Sequence, residues 1–295
     1  MLDRRGLETL VAVVDAGTFD LAARRLRVTP SAISQRVKAL ETEQGRVLLE
    51  RTKPIRPTSD GEVLLRLGRQ IALLEDEAAH ELGVAAGTTS LPLAVNADSL
   101  ATWLLPALAR ATAGRPVVVE VLREDQERTA ELLASGRVMA AVTSDARAVP
   151  GCAVSPLGRM RYRALATPAF VARHLPDGAT RAALSAAPLV DFDRDDELQS
   201  RWLRAVTHAP IEPPRHRISG SAEFARAIDL GMGWGMLADA QAQPALAAGT
   251  LVELDPRHVV DVPLYWQQWN LRAAALDFLA AEVVRAAREA LVQPS

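Results

Sequence analysis

The sequence predicts an α+β multidomain chain: an N-terminal winged helix-turn-helix, a long linker helix, and two α/β lobes. Three observations carry that expectation. Apolar residues recur at helical spacing in three short segments before residue 41, an apolar heptad register runs on after Thr58, and strand-like and helix-like segments alternate from Leu91 onward. A length of 295 residues suits two or three domains, and a hydrophobic content of 49% is enough to fill their cores.

In the head, Leu7, Leu10, Val11 and Val14 recur at i, i+3, i+4 and i+7, the stripe of a first helix. Gly17 breaks it and Thr18 caps a second helix, where Phe19, Ala22, Ala23 and Leu26 repeat the spacing. Thr29-Pro30 opens a third, with a capping hydroxyl followed by a proline whose missing N–H costs nothing at the first helical position. There Ile33, Val37 and Leu40 point one way and Ser31, Ser34, Gln35 and Lys38 the other. Any one such helix is ordinary in a soluble protein. Two helices split by a very short turn, then a capped third with a hydrogen-bonding and cationic outer face, describe a helix that enters a DNA major groove.

The proline-punctuated basic stretch Leu48–Pro57 reads as a two-stranded wing rather than a long helix. Thr58 caps a helix expected to run to about residue 83 or 87, along which Leu64, Leu67, Ile71, Leu74 and Ala78 step by three and four as a dimerising seam. Residues 85–90 look like a hinge. Beyond them strands are expected at 91–95, 117–122, 139–142, 162–166, 189–192, 215–219, 234–237, 251–254 and 262–269. Helices are expected near 100–113, 125–134, 195–205, 222–230, 239–247 and 273–291. Such alternation implies parallel-rich units. Its recurrence implies two lobes of periplasmic-binding-protein type with a ligand cleft at the strands' carboxyl ends. The expected division is 1–58 for the DNA-binding head, 59–88 for linker and hinge, and 89–295 for the effector-binding body. Lobe I of that body takes about 91–165 and 265–295, and lobe II about 166–264.

Net charge is −2, but residues 1–60 sum to +3 and the remainder to −5. A basic head on an acidic body fits a DNA reader joined to something else. Cys152 stands alone, so no intrachain disulfide forms and a reducing compartment is expected. No signal-peptide pattern opens the sequence and no segment approaches 18 uninterrupted apolar residues, so a cytoplasmic, membrane-free protein is expected. Five scattered histidines argue against a metal site. Gly231-Met232-Gly233-Trp234-Gly235 precedes a strand instead of a helix, the reverse of a dinucleotide loop. With no nucleophile elbow, phosphate loop or paired-carboxylate layout, no enzyme and no cofactor are expected.

The chain resembles the LysR-type transcriptional regulators over essentially its full length. The resemblance rests on Ala22-Ala23-Arg24-Arg25-Leu26, the run from Thr29 to Glu41, and Arg56-Pro57-Thr58. The run Leu93–Leu108, with Arg123–Thr129 and Phe192–Asp196, is similar to the LysG/ArgP branch, whose members control export of basic amino acids. One departure is Ala238, where proline is common in such regulators. The resemblance implies a homodimer or homotetramer, operator DNA and RNA polymerase as partners, and lysine, arginine or histidine as effector. A LysR-type regulator with another effector, and a solute-binding component of the same bilobal build, remain as alternatives; the DNA head opposes the second.

Candidate site residues follow. Ser31, Ser34 and Gln35 are expected to read base edges, with Thr29 at the same helix start. Arg36, Lys38, Arg51, Lys53 and Arg56 are expected to meet phosphates. A basic amino acid presents a carboxylate and two cations, each needing a partner once buried. Ser99 and Thr102, where a strand passes into a helix, are expected to take the carboxylate, with Trp103 walling the aliphatic stem. Glu124, Asp125, Asp193, Asp195 and Glu223 are expected to take the cations, although acids at helix starts are also common as plain caps.

Overall fold

The computed structural model describes residues 3–83, 87–123 and 126–293. Asp3 caps α1 (Arg4–Ala16), and Gly17 closes it in the left-handed region at φ +69°. The Thr18 hydroxyl accepts from Leu21 N to start α2 (Phe19–Leu26). The Thr29 hydroxyl accepts from Ala32 N to start α3 (Pro30–Gln44), with Pro30 in the first turn. The three helices close on Leu10, Val13, Ala22, Ile33, Val37 and Leu40, sealed by Leu48 and Ile55. The wing pairs β1 (Leu49–Glu50) antiparallel with β2 (Arg56–Pro57).

Thr58 caps α4 (Ser59–Glu81), its hydroxyl accepting from Gly61 N at 3.1 Å. Leu65, Gly68, Arg69 and Leu73 are buried against the rest of the same chain. The expected seam is offset from that face: Leu64, Leu67 and Ile71 are half-buried, and Leu74 and Ala78 are exposed. Ala85 and Ala86 of the expected hinge lie outside the described residues.

The body begins with β3 (Thr89–Val95). A helical stretch follows, made of α5 (Ala97–Ser99), a π-helical turn at Leu100–Leu104 and α6 (Leu105–Thr112). Next come β4 (Val117–Arg123), α7 (Gln126–Ala134), β5 (Ala140–Thr143) and β6 (Cys152–Ala166). The chain then adds α8 (Pro168–His174), α9 (Arg181–Ala186), β7 (Leu189–Asp191), α10 (Leu198–Thr207) and β8 (Arg215–Arg217). It ends with α11 (Ser221–Asp229), β9 (Gly235–Ala238), α12 (Asp239–Ala248), β10 (Val252–Glu253), β11 (Val260–Trp269) and α13 (Ala274–Ala290). The large sheet runs β10-β6-β11-β5-β3-β4, with β9 also on β6, and β7 pairs with β8 beside it.

Two strands join the lobes. β6 lies against β11 along Cys152–Tyr162, then against β9 and β10 along Tyr162–Ala166. Expected as a strand only from Tyr162, β6 begins ten residues earlier. Pro156 and Gly158, which read as turn residues, flank a bulge where the register on β11 shifts between Leu264 and Tyr265. The sheet is also less parallel than expected: β3–β4, β3–β5 and β7–β8 are parallel, while β6, β11, β9 and β10 pair antiparallel. Helices α8 and α9 were not anticipated; Thr167 and Thr180 cap them. The main core includes the buried pair Trp202 and Trp234, rings 5.0 Å apart, with Trp266 and Trp269 on β11.

Candidate functional site

On the head, burial of Ile33, Val37 and Leu40 turns the opposite side of α3 outward. Ser31, Ser34, Gln35 and Lys38 are exposed there, on residues three, four and seven apart. Thr29 is committed to the helix cap and lies 3.0 Å from the Ser31 hydroxyl. Arg36 is half-buried beside this face, and Arg51, Lys53 and Arg56 are exposed on the wing. Among the described residues these five cations form no ion pair, whereas Arg25 and Arg46 of the same head are neutralised by Asp15 and Asp60. The head therefore carries one positive surface flanking one hydrogen-bonding helix edge. That arrangement suits phosphates on either side of base edges.

In the body, a cleft of about 600 Å³ opens between the lobes at the carboxyl ends of β3, β5 and β7. Lobe I contributes Asn96, Ala97, Asp98 and Ser144, and lobe II contributes Phe192, Asp193, Asp195, Asp196, Glu197, Leu198 and Arg201. Tyr162, Val262 and Pro263 of the two joining strands lie between them, with Phe224, Met236 and Gln241 on the lobe II side. Among the described lining residues five carboxyl groups stand with one guanidinium, that of Arg201, which makes the lining acidic even though Glu197 also pairs with Arg204 at 3.7 Å.

Asp98 ties the two sides together. Its Oδ2 accepts from the Tyr162 hydroxyl at 2.9 Å, and its Oδ1 from the Ser221 hydroxyl at 2.8 Å across the cleft. Gln241 Nε2 donates to the same Ser221 oxygen at 2.9 Å. Burial, and then the Asp98 charge, push the Tyr162 phenol well above its ordinary range, so it stays a neutral donor. Asp196 organises the loop after β7, accepting from Phe192 N and Leu198 N. Burial raises its carboxyl above the usual range, against the backbone donors that lower it.

The structure brings part of the expected effector set to this cleft. Asp193 and Asp195 line it, with Asp193 Oδ1 accepting from Asp195 N at 2.8 Å. Ser99, Thr102, Trp103 and Glu223 do not. Ser99 is fully buried and its hydroxyl meets no partner among the described residues. Thr102 donates back to the Asp98 carbonyl at 2.6 Å, four residues earlier in its own helix. Trp103 belongs to the main core. Glu223 is exposed and folds over Gly220. Glu124 and Asp125 lie outside the described residues. The residue missed is Asp98, the immediate neighbour of Ser99. An apolar pattern locates a helix start but not which of two adjacent residues faces the cleft, and an acid there passes for a cap. Among the described residues no cluster of three or more potential ligands for a metal ion occurs, and no helix is long and apolar enough to cross a membrane.

Two family models match the chain: "Bacterial regulatory helix-turn-helix protein, lysR family" over residues 4–62 and "LysR substrate binding domain" over residues 86–288. The lysine export transcriptional regulatory protein LysG of Corynebacterium efficiens is 43% identical over 286 residues, 97% of this chain and 98% of that protein. The crystal structure of ArgP from Mycobacterium tuberculosis shares 44% identity at a TM-score of 0.88, each chain covered in full. Full-length LysG from Corynebacterium glutamicum with bound effector Arg shares 38% identity at a TM-score of 0.77, over 99% of this chain and 100% of that one.

Proposed function

The chain belongs to the LysR family of bacterial transcriptional regulators, and we propose that within it the lobes close on a basic amino acid and so control an amino-acid exporter gene. The carrying observation is the acidic lining of the interlobe cleft: among the described lining residues Asp98, Asp193, Asp195, Asp196 and Glu197 stand with one cation, Arg201, and Glu197 is also paired with Arg204 beside the cleft. A free carboxylate metabolite entering such a site meets repulsion, whereas a ligand with two positive charges is attracted. In this reading Arg201 faces the effector's α-carboxylate, and Asp98, Asp193 and Asp195 take its ammonium and side-chain cation. Glu124 and Asp125, just past β4, are assigned to the same role. The relative crystallised with arginine and the relative named for lysine export support lysine and arginine as the class, with histidine as a further member.

At the other end, Ser31, Ser34 and Gln35 read base edges while Arg36, Lys38, Arg51, Lys53 and Arg56 hold phosphates. The half-exposed seam Leu64, Leu67, Ile71, Leu74 and Ala78 on α4 is the proposed contact with a second copy, as a dimer or a tetramer of such pairs. RNA polymerase is the eventual partner, and the cytoplasm the place of work. Calorimetric titration of the full chain with L-lysine, L-arginine and L-histidine, with L-norleucine, whose side chain is uncharged, as the control, tests the effector class. Saturable heat from at least one basic amino acid and none from norleucine is expected. Heat only from a dicarboxylic acid would move the protein to another effector class.

A further inference from the structure

Two arginines one turn apart on α4 fasten the linker helix to lobe I and to the head at once. Arg69 is almost completely buried. One guanidinium nitrogen donates to the Gly136 carbonyl at 2.5 Å and the other to Asp15 Oδ1, at the carboxyl end of α1. Arg66 donates to the Pro150 carbonyl at 3.1 Å, and its guanidinium lies 5.9 Å from the Trp269 ring. Gly136 is at φ +74°, and a Cβ there would sit 2.5 Å from Arg66 Cα, so only glycine permits this approach of turn and helix. Burial holds the Glu62 carboxyl of α4 above its usual range, with the nearby Arg137 charge of the same lobe working against it.

The turn that Arg69 grips is the far end of α7. Because β3, β4 and β5 are parallel, their carboxyl ends share the edge where the cleft opens. Strand β4 ends at Arg123, and helix α7 runs from Gln126 to Ala134, two residues before Gly136. Its nine residues span about 13 Å and end at the turn that meets the linker helix. Arg69 thus stands where the lobe I turn that follows α7 meets the last turn of the first head helix.

We propose that Arg69 is the positioning residue that couples the effector lobe to the DNA head, by holding Gly136 of lobe I and Asp15 of α1 on one guanidinium. Its strength comes from burial: once Asp15 loses its charge, an unpaired cation is left in a nearly closed site, and it leaves by withdrawing from Gly136 too. The two contacts therefore open together. Cys152, the only cysteine, follows Gly151 directly beneath Arg66 and reports the opening.

The test compares full-length wild type, Arg69→Met, Asp15→Asn and the double variant by the rate at which a maleimide labels Cys152 under native conditions. Each single variant is expected to label several-fold faster, and the double variant no faster than Arg69→Met, because one contact has been removed twice. Affinity for a promoter fragment with and without saturating L-arginine is the second readout; the ratio of the two affinities is expected to fall toward one in the variants. Wild-type labelling rates in the variants would overturn the proposal, as would accelerations that simply multiply. Should Arg69→Met not fold, Asp15→Asn decides by its labelling rate, with Arg25→Met as the control for the surface pair that Asp15 also makes with Arg25. Acceleration in Asp15→Asn but not in Arg25→Met is expected, and equal acceleration in both would overturn the proposal. The affinity ratio rests on the arginine reading of the cleft but the labelling does not. A wild-type ratio of one with accelerated labelling in the variants therefore counts against the effector, not the coupling.

Discussion

Asp98→Asn separates the charge of the cleft from its shape. In the wild type the carboxylate accepts from Tyr162 and Ser221, and Ser221 in turn accepts from Gln241. An asparagine amide keeps both contacts: its oxygen accepts from one hydroxyl and its NH2 donates to the other, whose lone pairs are open to it. The fold therefore loses little, within about 1 kcal/mol, while a bound cation loses a charged partner. A hydrogen bond to a charged group contributes about 1.5–3 kcal/mol, which corresponds to a roughly 10- to 150-fold weaker Kd for L-arginine. The assay is calorimetric titration of both proteins with L-arginine, alongside thermal unfolding to confirm that the variant is intact. Equal arginine affinity in a folded Asp98→Asn protein would refute the placement of a cation at this carboxylate.

Three further outcomes follow from the same structure. Gln35→Ala is expected to cost about 1–3 kcal/mol on the cognate operator and little on random DNA; equal losses on both in a gel-shift assay would remove Gln35 from base reading. Arg51→Ala, on the exposed wing, is expected to weaken all DNA alike and to lower the dependence of log Kd on log salt by about one contact. Arg161 makes a two-pronged pair with Asp261 at 2.8 Å across the joining strands and holds that carboxyl below its usual range. A depressed carboxylate pKa contributes stability that is present above the unfolded value of about 3.9 and lost as pH falls through the folded one. The stability gap between wild type and Asp261→Asn is therefore expected at neutral pH and should close in strong acid. A gap independent of pH would contradict the pairing.

The head was legible because local chemistry alone determines it. Thr18 and Thr29 cap where hydroxyls precede apolar periods, Pro30 opens α3, Gly17 closes α1, and Ile33, Val37 and Leu40 turn inward as their spacing requires. The body was legible in its alternation but not in its long strands. In β6, Pro156 and Gly158 carry turn signals that a bulge absorbs, and β11 supplies the partner that makes fifteen residues one strand. Helices α8 and α9 begin with threonine caps, α8 with the same Thr-Pro pair that marked α3; they are short, and their apolar residues are too few to show a period. The cleft was legible as a place and as a charge. Asp193 and Asp195 reach it from a loop whose position follows from the strand before it. Asp98 was one residue away from the expected pair, and its partners Tyr162 and Ser221 lie 64 and 123 residues distant in sequence. Contacts of that separation leave no mark on local pattern, and the same holds for Arg69 with Asp15 and Gly136.

Footprinting of the full chain on the DNA upstream of its neighbouring genes, with and without L-lysine and L-arginine, tests the central claim most directly. A protected region whose extent changes when either amino acid is added is the predicted result. Protection that is identical with and without both, or none at low ionic strength, would contradict a regulator that converts cleft occupancy into a change at the DNA.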